Sequence, residues 1–160
     1  MAYGQFNENL YLFAFDTDTT NHLGSFKTAR NEELAHIRVN LCVYNQAGLG
    51  GSERIRTIVY GDPKYSNALY TSDWADIADI DGLTDDHSWI GWVRTDFNRK
   101  NINKGITYYL SCQFDNYTRN GDTFYMGLFY DYPYPVYDAG EDLFFDNCLA
   151  FQIFGYAARA

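Results

Sequence analysis

The chain has 160 residues with 46% hydrophobic and 19% aromatic side chains, so it is long enough to bury one sizeable core as a single domain spanning residues 1–160. Its 21 acidic against 12 basic residues give a formal net charge of -9, which argues against nucleic acid and against anionic membranes as partners. No apolar run approaches the roughly 18 residues of a spanning helix, and the opening Met1 to Leu10 lacks a basic patch followed by an apolar core.

Asn9 to Phe15 reads as a short apolar strand, closed by the turn-rich Asp16-Thr-Asp-Thr-Thr-Asn21. Leu23 to Thr28 is a weaker second strand. The clearest alternation follows, with Ala35, Ile37, Val39, Leu41 and Val43 on one face and His36, Arg38, Asn40, Cys42 and Tyr44 on the other. Period two means a strand with one buried and one mostly polar face, as in antiparallel sheets. The glycine-rich Gln46 to Ser52 reads as a turn, so Glu53 to Tyr60 is expected to return as the second arm of a long hairpin.

Ser72 to Ile80 is expected to form a short helical turn capped by Ser72. Ser88 to Phe97 is a strand with Trp89, Gly91, Val93, Thr95 and Phe97 on one face, and Asn98 to Gly105 is a polar turn. Three aromatic-rich strands close the chain, Gly105 to Phe114, Asp122 to Tyr130 and Cys148 to Tyr156. Between the last two, Asp131 to Gly140 carries Pro133 and Pro135, which argue for a loop without regular pairing. In the final strand Leu149, Phe151 and Ile153 face the core, and Ala150, Gln152, Phe154 and Tyr156 face the other way. The fold class is therefore all-β: one antiparallel two-sheet sandwich, jelly-roll-like, with about eight to ten strands and at most one or two short helical turns.

Candidate chemistry is sparse. Asp16 and Asp18 put oxygen ligands at alternate positions, and Asp79 and Asp81 belong to an acidic cluster running from Asp73 to Asp86. A plain turn and a solvated acidic loop are the preferred readings, so no cofactor is expected; Ca2+ ordering either segment is the alternative. Cys42, Cys112 and Cys148 are unclustered and each falls inside a strand, which fits buried thiols in a reducing compartment, with a disulfide between two of them as the alternative, and no metal site. Nothing local signals a catalytic set, so the chain reads as no enzyme. Tyr130, Tyr132, Tyr134 and Tyr137 crowd one hairpin and its loop, and with Phe154 and Tyr156 they are the candidate interface or ligand contacts. Such rings serve protein contacts, or stack on sugar rings in a carbohydrate-binding module.

Gly105-Ile-Thr-Tyr-Tyr-Leu110, Tyr125-Met-Gly127 and Leu149-Ala-Phe-Gln-Ile-Phe-Gly155 together resemble the closing strands of a β-sandwich or jelly-roll module of phage virion proteins and bacterial surface proteins. The resemblance spans about residues 105–156, and the earlier half matches only in strand pattern. Cys148 stands where that module has an acidic residue, and no site residues carry over. The resemblance implies a non-catalytic structural or adhesive role. A chain opening on Met without an export signal is then expected to be a tailed-phage capsid decoration (cement) protein, assembled in the host cytoplasm and displayed on the virion surface. Its expected partners are itself, as a homotrimer, and a major capsid or other virion protein. A carbohydrate-binding module of the fibre or receptor-binding type is the alternative.

Overall fold

The computed structural model describes residues 11–14, 21–44, 52–77, 90–117, 124–138, 143–149 and 151–158, with side chains described at 21–41, 52–77, 92–117 and 151–158. These residues form eleven strands: β1 (Tyr11–Ala14), β2 (Asn21–Phe26), β3 (Glu32–Tyr44), β4 (Arg54–Tyr60), β5 (Ala68–Thr71), β6 (Ala75–Asp76), β7 (Ile90–Ile102), β8 (Tyr108–Asp115), β9 (Phe124–Asp138), β10 (Leu143–Leu149) and β11 (Phe151–Ala157). They make two antiparallel sheets, one of six strands (β1, β3, β7, β9, β10, β11) and one of five (β2, β4, β5, β6, β8). Among the described residues there is no α-helix, and none is long and apolar enough to cross a membrane.

The core is drawn from both sheets. Leu34, Ile37, Val39 and Leu41 of β3, Val93 and Phe97 of β7, and Phe151 and Ile153 of β11 meet Leu23 and Phe26 of β2, Ile55 and Val59 of β4, and Leu110 and Cys112 of β8. Each fully buried aliphatic or Phe side chain contributes about 1.5–3 kcal/mol relative to exposure, which outweighs the modest strand propensities. The alternation read from β3 holds at Ile37, Val39 and Leu41, all at most 1% exposed. It fails at Ala35, which is only half-buried, because the β3–β7 register shifts between Leu34 and His36 and Leu34 takes the inward place. The final strand divides as expected, with Phe151 and Ile153 inside. Cys112 is a free, buried thiol whose pKa burial pushes well up.

Four expectations are corrected. β3 and β4 form no hairpin: β3 pairs with β7, β9 and β11, whereas β4 pairs with β5, β6 and β8 in the other sheet. Alternation tells which face of a strand is buried, and both strands satisfy it by facing one another across the core. Ser72 caps no helix among the described residues; its hydroxyl accepts from the Thr57 amide at 2.9 Å and donates to the Asp73 carbonyl at 2.8 Å, Ala75–Asp76 pair with β4, and residues 78–80 of that stretch lie outside the described residues. The turn after β7 is shorter than read, since β7 runs to Ile102; Gly105, at φ 72, takes the left-handed conformation there. Lastly, β9 continues through Pro133 and Pro135. The register passes from Asp131↔Asn147 to Val136↔Phe145, so residues 132–135 lie in an irregularity where a missing proline N–H costs no ladder bond.

A buried polar relay ties the sheets together. The Thr57 and Thr95 hydroxyls lie 2.6 Å apart in the core, and Thr95 donates to the Ile37 carbonyl at 2.9 Å, so Thr57 is left as donor to Thr95. Removing the Thr95 hydroxyl strands a buried donor and an acceptor, whereas removing that of Thr57 strands no donor. Urea denaturation should therefore show Thr95→Val destabilised by about 1–3 kcal/mol and Thr57→Val by clearly less; the reverse order would contradict the relay. Gly155 provides a second test. A Cβ there would stand 3.0 Å from the Glu33 carbonyl oxygen and 3.1 Å from the Glu32 carboxylate, at a register shift of β11 against β3. Gly155→Ala is expected to lower the melting temperature by several degrees, about 1–2 kcal/mol, although alanine is ordinarily the better residue in an extended chain.

Candidate contact surface

Because β3 lies between β7 and β11, its outward side chains become the middle members of cross-strand rows. The register sets Asp96, His36 and Phe154 in one row, Arg94, Arg38 and Gln152 in the next, and Trp92 beside Asn40 beyond them. Phe154 is half-buried: the His36 ring stacks on it at 4.4 Å and 18°, and the Arg38 guanidinium lies 4.9 Å from its centroid. At the end of the sheet Arg99 donates to Glu33 at 2.8 Å and lies 4.5 Å from the centroid of Tyr156, which is 54% exposed. Cations and an imidazole from neighbouring strands thus engage the two rings of this face.

Polar groups remain unmet on the same face. His36 Nε2 and both amide atoms of Asn40 are buried without a hydrogen-bond partner among the described residues. Burial first, then the charges of Arg94 and Arg38, hold the His36 imidazole below its ordinary value, against an opposing pull from Asp96.

The outward face of the five-stranded sheet is finished by the chain itself. Arg54 donates to Asp115 and Arg56 to Gln113, and the two guanidiniums lie 5.2 and 4.4 Å from the Trp74 ring. Tyr65, at φ 55, stacks on His22 at 3.8 Å and meets Tyr60 and Tyr109 edge-on, with its hydroxyl donating to the Gly24 carbonyl. The turn that carries it is pinned by Asp62, whose carboxylate accepts from the amides of Ser66 and Asn67.

Of the residues singled out from sequence, only Phe154 and Tyr156 fall where side chains are described, and they share this outward face. Tyr130, Tyr132, Tyr134 and Tyr137 lie on β9, whose side chains are outside the described residues, as are Asp16, Asp18, Asp79 and Asp81. No group of three or more His, Cys, Asp or Glu among the described residues could hold a metal ion. Sequence reasoning placed His36 and Arg38 on the polar side of β3 but did not single them out, and it missed Arg94. Alternation sets Arg94 off the apolar face of its strand; only the register brings it opposite Arg38.

The chain matches no protein-family model, and no curated protein matches its sequence.

His36 gives this surface a pH signature. Its imidazole pKa is lower in the folded than in the unfolded chain, where about 6.5 is usual, so the unfolded state takes up the proton first as pH falls. The contribution is complete above the unfolded value and is lost as pH drops through it. Stability measured from pH 7.5 to 5 should therefore fall less in His36→Gln than in the parent; equal slopes would show that His36 is not perturbed.

Proposed function

We propose that the chain is a non-catalytic virion structural protein of a tailed bacteriophage, a capsid decoration (cement) subunit that works through protein–protein contacts and self-associates as a trimer. The virion assignment draws on the resemblance of residues 105–156 to virion sandwich modules. The observation that carries the contact role is the outward face of the six-stranded sheet, where Phe154 and Tyr156 of a strand at the end of the sheet order lie half-buried or exposed among Arg38, Arg94 and Arg99. Large rings and arginines together are the residues most enriched in the energetic centres of protein interfaces. The opposite sheet has its rings and cations engaged by its own chain as well, but there Arg54 and Arg56 each bond an acceptor, whereas Arg38 on this face reaches no carboxylate among the described residues.

Mass photometry of the purified chain, alone and with phage capsid shells, tests the reading. Association with shells is expected, and Phe154→Asp should weaken it at least tenfold while the melting temperature changes little. A chain that stays monomeric and never binds shells overturns the decoration role. Binding on a glycan array that is lost on replacing Tyr132, Tyr134 and Tyr137 with Ala would favour a carbohydrate-binding module instead.

A further inference from the structure

We infer that Arg38 and Arg94 form a docking site for an acidic segment of a partner protein, its Asp or Glu carboxylates seated on the two guanidiniums. The two arginines are register partners on β3 and β7, and like charges directly opposite each other destabilise a sheet. In a chain with 21 acidic and 12 basic residues, a guanidinium has many carboxylates to choose from. Arg30, Arg54, Arg94 and Arg99 each reach one, on Glu32, Asp115, Asp96 and Glu33, and Arg56 bonds Gln113. Arg38 reaches none among the described residues; it is held against the Phe154 ring, which fixes its position without neutralising it.

Beside it on the same strand, His36 Nε2 and the Asn40 amide are polar atoms that no described residue satisfies, but they are buried and so take no part in docking. Arg94 already bonds the exposed Asp96, so Arg38 is the braced cation of the facing pair that lacks a carboxylate. A carboxylate relieves that arrangement most directly, through the paired N–H groups that a guanidinium presents. An extended peptide fits the surroundings better than a sugar. The Phe154 and Tyr156 rings are already engaged by His36, Arg38 and Arg99 and do not form an unoccupied stacking platform. β11 also stands at the end of its sheet's strand order, where an added strand finds backbone donors and acceptors.

The inference rests on the contact role proposed for this face, and its test is separable from that role. Fluorescence anisotropy would follow labelled hexaglutamate, with hexaglutamine as control, in low salt and in about 0.5 M salt, where exposed charges are screened. Hexaglutamate is expected to bind, hexaglutamine not, and salt to abolish binding. Arg38→Gln and Arg94→Gln should each weaken it about tenfold, whereas Arg54→Gln on the other sheet should leave it unchanged. Melting curves of all three variants establish that they fold, and the Arg94 variant stands in if the loss of the Arg38–Phe154 contact unfolds the chain. Equal binding by the Arg38 and Arg94 variants, equal loss in the Arg54 variant, or tighter binding of an oligouronate than of hexaglutamate overturns the proposal. Shell binding that survives Arg38→Gln, with no hexaglutamate binding, removes this site and leaves the contact surface standing. Hexaglutamate binding without shell binding does the opposite.

Discussion

The alternation of β3 is the constraint from which the rest of the molecule follows. A one-residue slip against β7 would turn Ile37, Val39 and Leu41 to the outside and drive His36, Arg38 and Asn40 into an apolar core. The cost of stripping water from a guanidinium makes that alternative inaccessible. β3 also has partners on both edges. β7 occupies one edge, and β9 and β11 divide the other between Cys42–Tyr44 and Glu32–Val39. Fixing β3 therefore fixes the rows of side chains that cross the outward face of the six-stranded sheet.

The two sheets hold each other through apolar packing and through a short chain of hydroxyls. The relay from Thr57 through Thr95 to the Ile37 carbonyl is directional in a way that packing is not, since hydrogen bonds lose strength steeply with misalignment. Thr57 is tied further by the mutual bonds of its backbone with Ser72, which lead to Asp73, whose amide donates to the Asp96 carbonyl at the outer edge of β7. The segment from Ser72 to Asp73 thus links the sheets at a side of the sandwich as well as through its middle. The position of Asp96, and with it the row through His36 and Phe154, is set from two directions.

Much of the fold could be read from the chain because burial imposes a period on each strand separately. Ile37, Val39 and Leu41 were assigned to their buried face from spacing alone, and so were Phe151 and Ile153; Val93, Thr95 and Phe97 were placed together on one face, which is the buried one. Spacing carries no information about partners. The hairpin expected of β3 and β4 failed because two strands joined by a turn can face each other across a core as readily as lie side by side. Ala35 was misplaced because a register shift interrupts the period, and Pro133 and Pro135 suggested a loop because an irregularity in a ladder tolerates what a regular ladder does not. The juxtaposition of Arg38 with Arg94 was hidden for the same reason, and the net charge hid it further. A chain can be acidic in total and still gather cations on one face, since composition averages over faces that geometry keeps apart. Phe154 and Tyr156 were picked out from sequence because rings on the polar side of a terminal strand are conspicuous without knowledge of its neighbours.

The end of β11 has a practical consequence. Ala158 donates its amide to the Asn31 carbonyl at 3.1 Å, which anchors the backbone just beyond Tyr156. That anchor lies at the rim of the six-stranded sheet, beside Arg99 and Glu33. A cargo grafted there would be delivered to the edge of the proposed contact surface and, if bulky or acidic, would compete with the docking proposed for it. A slender neutral linker would be the suitable attachment for displaying such cargo.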